Sequence, residues 1–285
     1  MDEIAYAKVN LALHVRGREA DGYHRIETVF AFCEDGDRLS AVPAGALTLE
    51  MTGPFAAALA GERDNLVLRA ARLFAERFRV GAGAALRLAK RLPVASGIGG
   101  GSADAAAALR LLDRMWGVGA SEAELLPLAA ELGADVPACL LSRTLRGEGR
   151  GDRLSEDRVP DVAGTPVLLV NPRIPVATVD VFRRWSGADG GPLPAEPAAA
   201  RNDLEAPACA VAPAIADVLA ALRAAGGATL VRMSGSGATC FGLYADEAAR
   251  DEAAAGIARS HPGWWRFVSR FRAPPVPERH AADAG

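Results

Sequence analysis

The residues PVASGIGGGSADAAAALR, at positions 93–110, decide the fold of this chain. A segment with strand-like alternation, residues 84–90, precedes them, and an alanine-rich stretch of helical character, residues 102–116, follows. A glycine-rich loop that leads into a helix offers free backbone N–H groups, a favourable helix dipole and room for close approach. The segment therefore predicts a loop that binds phosphate, with Ser102 as the N-cap of the helix.

The glycines alone leave a flexible turn before a helix about as well supported as a phosphate site. No Gly-Lys-Ser or Gly-Lys-Thr follows, which excludes a Walker A loop. The HRD and DFG patterns of eukaryotic protein kinases are missing. A dinucleotide fingerprint would need an acidic residue about 20 positions later at the end of a second strand, and none stands there.

Composition excludes several classes of protein. The chain has 285 residues, 50% of them hydrophobic and 24% charged, which is typical of a folded protein with one large domain or two. A net charge of −3 does not suggest a nucleic-acid binder. No apolar run approaches the roughly 18 residues of a membrane helix, and no signal peptide is visible, so we expect a soluble cytoplasmic protein. Four scattered cysteines without a CxxC pair argue against a zinc site or a disulfide framework: Cys33, Cys139, Cys209 and Cys240.

The rarity of lysine points to individual residues. The chain has 61 alanines and 30 arginines but only two lysines, Lys8 and Lys90. It has four asparagines and no glutamine. This pattern indicates a coding bias that replaced lysine by arginine wherever it could be spared. A lysine that survives such a bias is a candidate for a role that needs a compact ammonium group.

Residues 4–15, IAYAKVNLALHV, alternate between apolar and polar positions and predict a half-buried strand. Lys8 and Asn10 lie two positions apart, so they project from the same face, about 7 Å from each other. Residues 145–165 lose periodicity, and we expect a domain boundary there. The predicted division is therefore residues 1–155, residues 156–272, and a disordered tail over 273–285.

Further strands and helices are expected along the chain from the same periodicities. Ser121 and Glu124 form a capping-box pattern before a helix that ends near Gly133, and Asp135 with Pro137 begins another short helix. The remaining predicted elements are strands at 26–32, 47–51 and 166–170, helices at 65–79, 213–225 and 246–259, a surface loop at 186–200, a strand–turn–strand unit at 229–245 and a strand at 264–271.

The pattern PxxxGxGGGSxxAA resembles the second motif of the GHMP kinases, the group that contains galactokinase, homoserine kinase and mevalonate kinase. The likeness covers the chain to about residue 272, through AKVNLALHVRGREADGYHRIETVF (7–30), LGADVPACL (132–140), NPRIPVATVDVF (171–182), RNDLE (201–205) and MSGSGATCFG (233–242). It implies an α+β, two-domain GHMP kinase fold with the site in the cleft between the halves. The N-terminal half would be ribosomal protein S5 domain 2-like and the C-terminal half ferredoxin-like.

The DGYH and NDLE elements resemble those members of the family that act in non-mevalonate isoprenoid precursor biosynthesis. The resemblance implies ATP-dependent phosphorylation of the 2-hydroxyl of 4-diphosphocytidyl-2-C-methyl-D-erythritol. The expected partners are ATP, Mg²⁺ and a small molecule with a cytidine diphosphate group, with no nucleic acid and no membrane. The alternatives are a GHMP kinase for homoserine or a mevalonate-type alcohol, a non-catalytic nucleotide-binding module, and a purely structural α/β protein.

The resemblance assigns catalysis to Asp135 and Lys8. From local sequence alone, Asp135 would be a simple helix N-cap and Lys8 a strand lysine facing solvent. By the same resemblance, Asn10 and Thr178 contact the substrate, and an aromatic group holds its cytosine: Tyr23, His24 and Phe182. Core packing of Phe182 and a turn role for His24 are the rival interpretations.

The resemblance also implies the residues around ATP. The expected nucleotide-binding residues are Asn65, Leu66, Pro93, Gly97, Gly99, Gly100, Gly101, Ser102 and Ala103. Magnesium would be carried mainly by phosphate oxygens and water, with Ser102 as the one candidate to approach it. Ala103 departs from the family, which usually has a second serine there. Lys90 either borders the adenine pocket or is a solvated strand end. A later turn would close over the site or form a tight hairpin: Ser234, Gly235, Ser236 and Gly237.

Overall fold

The computed structural model of this protein describes residues 1–59, 61, 65–194 and 196–273. The structure combines α-helices with two β-sheets, which confirms the predicted α+β class. The strands are β1 (Asp2–Arg18), β2 (His24–Ala44), β3 (Thr48–Thr52), β4 (Gly83–Ala89), β5 (Leu145–Gly149), β6 (Arg153–Ser155), β7 (Pro166–Asn171), β8 (Ala228–Met233), β9 (Cys240–Tyr244) and β10 (Trp265–Arg270). The helices are α1 (Leu66–Phe78), α2 (Gly100–Trp116), α3 (Glu122–Leu132), α4 (Val136–Leu141), α5 (Thr178–Arg183), α6 (Glu205–Val211), α7 (Ala214–Ala224) and α8 (Glu247–Ser260).

The first sheet is built around β2. Its strand order is β3-β4-β2-β5-β6, and β1 pairs antiparallel with β2 through the turn at Asp21 and Gly22. α2 packs against β1 and β2, and also against α1. The alanine-rich face of α2 is completely buried, because small side chains let the helix approach the sheet closely. The position of the glycine-rich loop is therefore set by a tightly packed helix.

β1 is buried on both faces, so the expectation of a half-buried strand is wrong. Every residue from 7 to 15 is buried, including Lys8, Asn10 and His14. Val9 and Leu11 pack in a cluster with side chains of the second sheet, and the polar side chains turn the other way. Alternation still describes the strand correctly, but the polar face is covered as well. The glycine-rich loop and the start of α4 lie against Lys8, and the turn after β8 lies against Asn10.

The second sheet has the order β10-β7-β9-β8, and all its neighbours are antiparallel. β5 and β6 extend the first sheet, so the loss of regular structure expected over 145–165 does not hold for residues 145–149 and 153–155. The domain boundary near 155 stays a prediction. Residues 274–285 of the expected tail lie outside the described residues. None of the described helices has both the length and the apolar character required to cross a bilayer.

The RNDLE segment braces the turn after β8. The Asn202 side-chain amide donates to the carbonyl oxygens of Met233 and Gly235, each at 2.8 Å, and its oxygen accepts from the backbone N–H of Leu204 at 2.9 Å. On the other side, the segment pairs with β1, since the Leu13 N–H donates to the Arg201 carbonyl. One buried asparagine thus holds the turn at 234–237 against the first strand.

We expect Asn202→Ala to lower the free energy of unfolding by about 2–4 kcal/mol, because it leaves two carbonyls and one N–H unpaired in the interior. Urea denaturation followed by circular dichroism measures the change. Asp217→Ala, at an exposed position of α7, is the control and should change stability by under about 0.5 kcal/mol. A loss at Asn202 no larger than that of the control would contradict this account.

Candidate active site

A cavity of about 1130 Å³ lies between the two halves of the chain. β1, the glycine-rich loop and the start of α4 contribute to one wall, and α5 with the turn after β8 contributes to the other. The predicted site residues that line it are Lys8, Asn10, Tyr23, His24, Leu66, Gly97, Gly99, Gly100, Gly101, Ser102, Asp135, Thr178, Phe182, Gly235 and Ser236. Segments far apart in sequence therefore converge on one concave surface.

Lys8 and Asp135 form an ion pair on this surface. The Lys8 Nζ lies 2.7 Å from the Asp135 Oδ2, and the side chains are 5% and 38% exposed. Asp135 occupies the N-cap position of α4, but its side chain makes no capping hydrogen bond. The ammonium also lies 4.9 Å from the centre of the Phe30 ring, which helps to fix its position. The carboxylate is thus held by Lys8 while one face stays open to the cavity.

The glycine-rich loop passes directly beside Lys8. Gly99 has a left-handed backbone with φ of 65°, and a Cβ there would lie 3.2 Å from the Lys8 Cε. Gly99 is the N-cap of α2, so the expectation that Ser102 caps this helix is wrong. An N-cap serine normally needs an extended backbone, whereas the chain enters this helix through a left-handed glycine. Ser102 lies in the first turn and lines the cavity.

Asn10 connects β1 to the loop and to the turn after β8. Its backbone N–H donates to the Ser234 hydroxyl at 3.0 Å, and that hydroxyl donates to the Gly97 carbonyl at 2.8 Å. The Asn10 Nδ2 donates to the Thr28 hydroxyl at 2.8 Å. Its Oδ1 is buried, and none of the described groups donates to it. These contacts fix the Asn10 side chain beside Lys8 at the edge of the cavity.

An aromatic group lines another part of the cavity. The His24 and Phe182 ring centres lie 4.7 Å apart, and Trp185 meets His24 edge-on at 5.6 Å. Burial and the nearby Arg18 lower the pKa of His24, which favours a neutral imidazole. Phe182 faces His24 and the cavity, although it also packs against the core. Tyr23 is largely exposed, and the Arg150 guanidinium lies 4.0 Å from its ring centre.

Two hydroxyl groups lie on the second wall of the cavity and form a hydrogen bond with each other. Thr178 on α5 and Ser236 in the turn have their hydroxyl oxygens 2.9 Å apart. Both residues line the cavity, as expected for groups that face a substrate. Ser234 and Gly237 do not line the cavity, and Ser234 instead ties the turn to β1 and the glycine-rich loop.

Three residues expected at the nucleotide lie away from the cavity surface. The Asn65 side chain caps α1 by accepting from the Val67 N–H at 2.9 Å. The Pro93 carbonyl accepts from the Ser96 hydroxyl at 2.6 Å. Ala103 does not fit its predicted place at the nucleotide. Its side chain is buried in the hydrophobic core between the first sheet and α2, and its N–H donates to the Gly99 carbonyl, so it has no group to offer a nucleotide. The missing second serine therefore removes no hydroxyl from the cavity surface at this position.

Lys90 is buried, so its interpretation as a solvated strand end is wrong. Its Nζ lies 2.5 Å from Asp37 Oδ2 and 2.6 Å from Asp104 Oδ2, and all three side chains are at most 4% exposed. Burial alone would lower the pKa of Lys90, but the two carboxylates outweigh it and raise the pKa. Sequence reasoning missed both carboxylates. The rarity of lysine was a signal for Lys90, whereas no local pattern distinguished its partners.

The cavity also contains residues that the sequence did not single out, notably Arg18, Arg150 and Trp185. Each lies next to a predicted residue, and Arg150 and Trp185 project from segments without a recognisable motif. Among the described residues, no group of three or more histidine, cysteine, aspartate or glutamate side chains is arranged to hold a metal ion.

Comparison with known proteins identifies the family of this chain. Residues 65–143 match the family described as GHMP kinases N terminal domain, and residues 194–262 match GHMP kinases C terminal. Proteins of Rhizorhabdus wittichii and Sphingopyxis alaskensis, both called 4-diphosphocytidyl-2-C-methyl-D-erythritol kinase, are 56% and 50% identical to this chain. Each alignment covers 95% of the chain, and 94% and 99% of the relative.

Solved structures show the same fold. A crystal structure of 4-(cytidine 5'-diphospho)-2C-methyl-D-erythritol kinase superposes with a TM-score of 0.81 at 35% identity, covering 96% of this chain and all of the other. Homoserine kinase from Cytophaga hutchinsonii superposes with a TM-score of 0.71 at 18% identity, over 97% of this chain and 96% of the other, which is evidence for the fold alone. GHMP kinases use ATP as phosphoryl donor. The chain belongs to the GHMP kinase family, and within it to the group of relatives called 4-diphosphocytidyl-2-C-methyl-D-erythritol kinase.

Proposed function

We propose that this chain transfers the γ-phosphoryl group of ATP to the 2-hydroxyl of 4-diphosphocytidyl-2-C-methyl-D-erythritol, giving the 2-phosphate and ADP. This reaction would be a step of the non-mevalonate route to isoprenoid precursors. The observation that carries the proposal is a single cavity that combines the Lys8–Asp135 pair, the glycine-rich loop and the His24–Phe182 aromatic pair. The names of its close relatives support the same reaction.

In the proposed mechanism, Asp135 accepts or orients the proton of the attacking hydroxyl. Lys8 holds the carboxylate in place and stabilises charge that develops at the reacting oxygens. Asn10 lines the cavity beside Lys8 and would orient the substrate or the lysine. Transfer is direct and in line, and positioning and electrostatics supply most of the acceleration.

The donor side rests on the glycine-rich loop and the first turn of α2. The N–H groups of a helix N-terminus have no intrahelical partners, so Gly100, Gly101 and Ser102 are placed to receive phosphate oxygens. The Ser102 hydroxyl lines the cavity and suits magnesium, which prefers oxygen ligands and keeps several waters. Magnesium bound with ATP would neutralise charge on the phosphates.

The aromatic part of the cavity distinguishes the proposal from its rivals. A flat cytosine base can stack on His24 and Phe182, with Tyr23 at the rim. Homoserine and mevalonate have no base to stack, so a kinase for those alcohols would not need this group. A non-catalytic nucleotide-binding module would not need the Lys8–Asp135 pair.

The reaction is tested by ADP release from the purified chain with ATP and Mg²⁺. We expect turnover with the diphosphocytidyl alcohol and at most about 1% of that kcat/KM with the alcohol that lacks the cytidylyl group. Turnover with homoserine or mevalonate instead would overturn the choice of substrate. No ATP-dependent turnover with any of these alcohols would overturn the proposed activity.

We expect Asp135→Asn to lower kcat by about 10²–10⁴-fold, because the amide cannot accept the hydroxyl proton. Lys8→Met should lower kcat by a similar factor through the same pair. Asp161→Asn, an exposed carboxylate outside the cavity, is the control and should keep wild-type kcat. Near-wild-type turnover by folded Asp135→Asn would show that the carboxylate has no part in proton transfer.

We expect Phe182→Ala to raise KM for the diphosphocytidyl alcohol about tenfold, since stacking on a base contributes about 1–3 kcal/mol. KM for ATP, measured in the same steady-state assay, should stay within about twofold and serves as the internal control. An equal rise of both constants would indicate general damage to the cavity rather than loss of base recognition.

A further inference from the structure

A buried ionic cluster lies beneath the glycine-rich loop. We use the name buried cluster for Lys90, Asp37 and Asp104. Asp37 belongs to β2, Asp104 to α2, and Lys90 follows β4 directly, so the cluster joins two strands of the first sheet to the helix that begins at the loop. Its side chains do not line the cavity.

The cluster is held rigidly from the sheet side. The Asp37 Oδ1 accepts from the backbone N–H groups of Arg91 and Leu92, at 2.5 and 2.8 Å. The Lys90 N–H donates to the Thr52 carbonyl at 2.7 Å, which anchors the lysine backbone to the end of β3. Both carboxylates then hold the ammonium at hydrogen-bond distance. A displacement of the Lys90 Nζ would therefore break charge-assisted hydrogen bonds in a dry interior.

The ammonium lies directly below the first residue of α2. A Cβ at Gly100 would be 3.1 Å from the Lys90 Nζ, and its other neighbours within 4 Å are the Pro93 carbonyl and the Leu92 Cβ. All three atoms belong to residues that do not line the cavity. The first turn of α2 thus rests on the Lys90 ammonium, and its distance from the sheet depends on the size of that group.

This contact explains why lysine is retained in a chain with 30 arginines and two lysines. An ammonium is compact and can lie between two carboxylates under a glycine, whereas a planar guanidinium with five N–H donors needs more room. Lys8 meets the loop in the same way, because its side chain packs against Gly99. Both lysines of the chain therefore contact the glycine-rich loop through space that arginine would overfill.

We propose that Lys90, clamped by Asp37 and Asp104, is a positioning residue that sets where the N–H groups of the first turn of α2 meet the phosphates of ATP. The inference rests on the proposed function in one respect, the binding of ATP phosphates at this loop. It assigns to the buried cluster an effect on nucleotide binding and none on recognition of the alcohol.

The test changes the size of the side chain at position 90 and keeps its positive charge. Lys90→Arg should raise KM for ATP at least tenfold, because the guanidinium pushes the first turn toward the cavity, and KM for the diphosphocytidyl alcohol should stay within twofold. Fluorescence titration with N-methylanthraniloyl-ADP should weaken in parallel, and this readout does not depend on turnover. Arg87→Lys, the reverse exchange on the exposed face of β4, is the matched control and should leave both constants unchanged.

Gly100→Ala is the second variant and keeps the test decisive where Lys90→Arg fails to fold. Gly100 has no left-handed backbone, so alanine fits the backbone conformation there. The alanine methyl group would lie nearest to the Lys90 ammonium, which the two carboxylates hold in place, so we expect the same selective loss of nucleotide affinity. Wild-type nucleotide affinity in a folded Lys90→Arg or Gly100→Ala protein would overturn the inference. If instead the wild-type chain binds N-methylanthraniloyl-ADP but phosphorylates no alcohol, the proposed reaction fails while the positioning role is still tested.

Discussion

The ion pair between Lys8 and Asp135 is the interaction on which the rest of the site depends. Its partners are 127 residues apart, one on the first strand and the other at the N-terminus of α4. The pair forms only when β1, the glycine-rich loop and α4 are packed together. The same lysine side chain fills the space beside Gly99, so the proposed catalytic pair and the glycine-rich loop share one contact surface. A change in either element is transmitted to the other through van der Waals contact.

The two lysines of this chain depart from the rule that charged side chains lie on the surface. Lys8 and Lys90 are both buried, and carboxylates balance both of them. Burial raises the pKa of Asp104 to about 7, although Lys90 opposes this shift. Such a cluster is costly to bury, and hydrophobic residues of similar volume often serve stability as well or better. Its position under the loop offers a reason for keeping it that stability alone does not supply.

The fold was largely predictable from the sequence because its elements carry strong periodicity and clear caps. The capping box at Ser121 and the helix that follows Asp135 are both confirmed. Burial of β1 was not predictable, since alternation cannot reveal that the glycine-rich loop, α4 and the turn after β8 cover its polar face. The N-cap of α2 was missed because a serine pattern is local, whereas the left-handed backbone of Gly99 and its contact with Lys8 are set by tertiary structure.

The site was predictable only through resemblance to the motifs of a known family. Local sequence alone would have identified Asp135 as a simple helix N-cap. Residues such as Trp185 and Arg150 could not be found, because their place in the cavity results from tertiary packing of segments without a motif. The asparagines were a partial signal. Asn10 and Asn202 both make buried amide contacts that another side chain could not reproduce, which explains their survival in a chain with only four.

β1 belongs to both halves of the molecule. It pairs with β2 along its length, and near Leu13 it also bonds to the segment before α6, where the Asp203 N–H donates to the Leu13 carbonyl at 2.8 Å. A strand shared in this way makes the second half an incomplete module. If the chain were cut between β6 and β7, the C-terminal fragment would expose the apolar surface that Val9 and Leu11 normally cover. The two fragments would then have to be produced together and reassociate. The halves could therefore not easily be exchanged between proteins as independent domains.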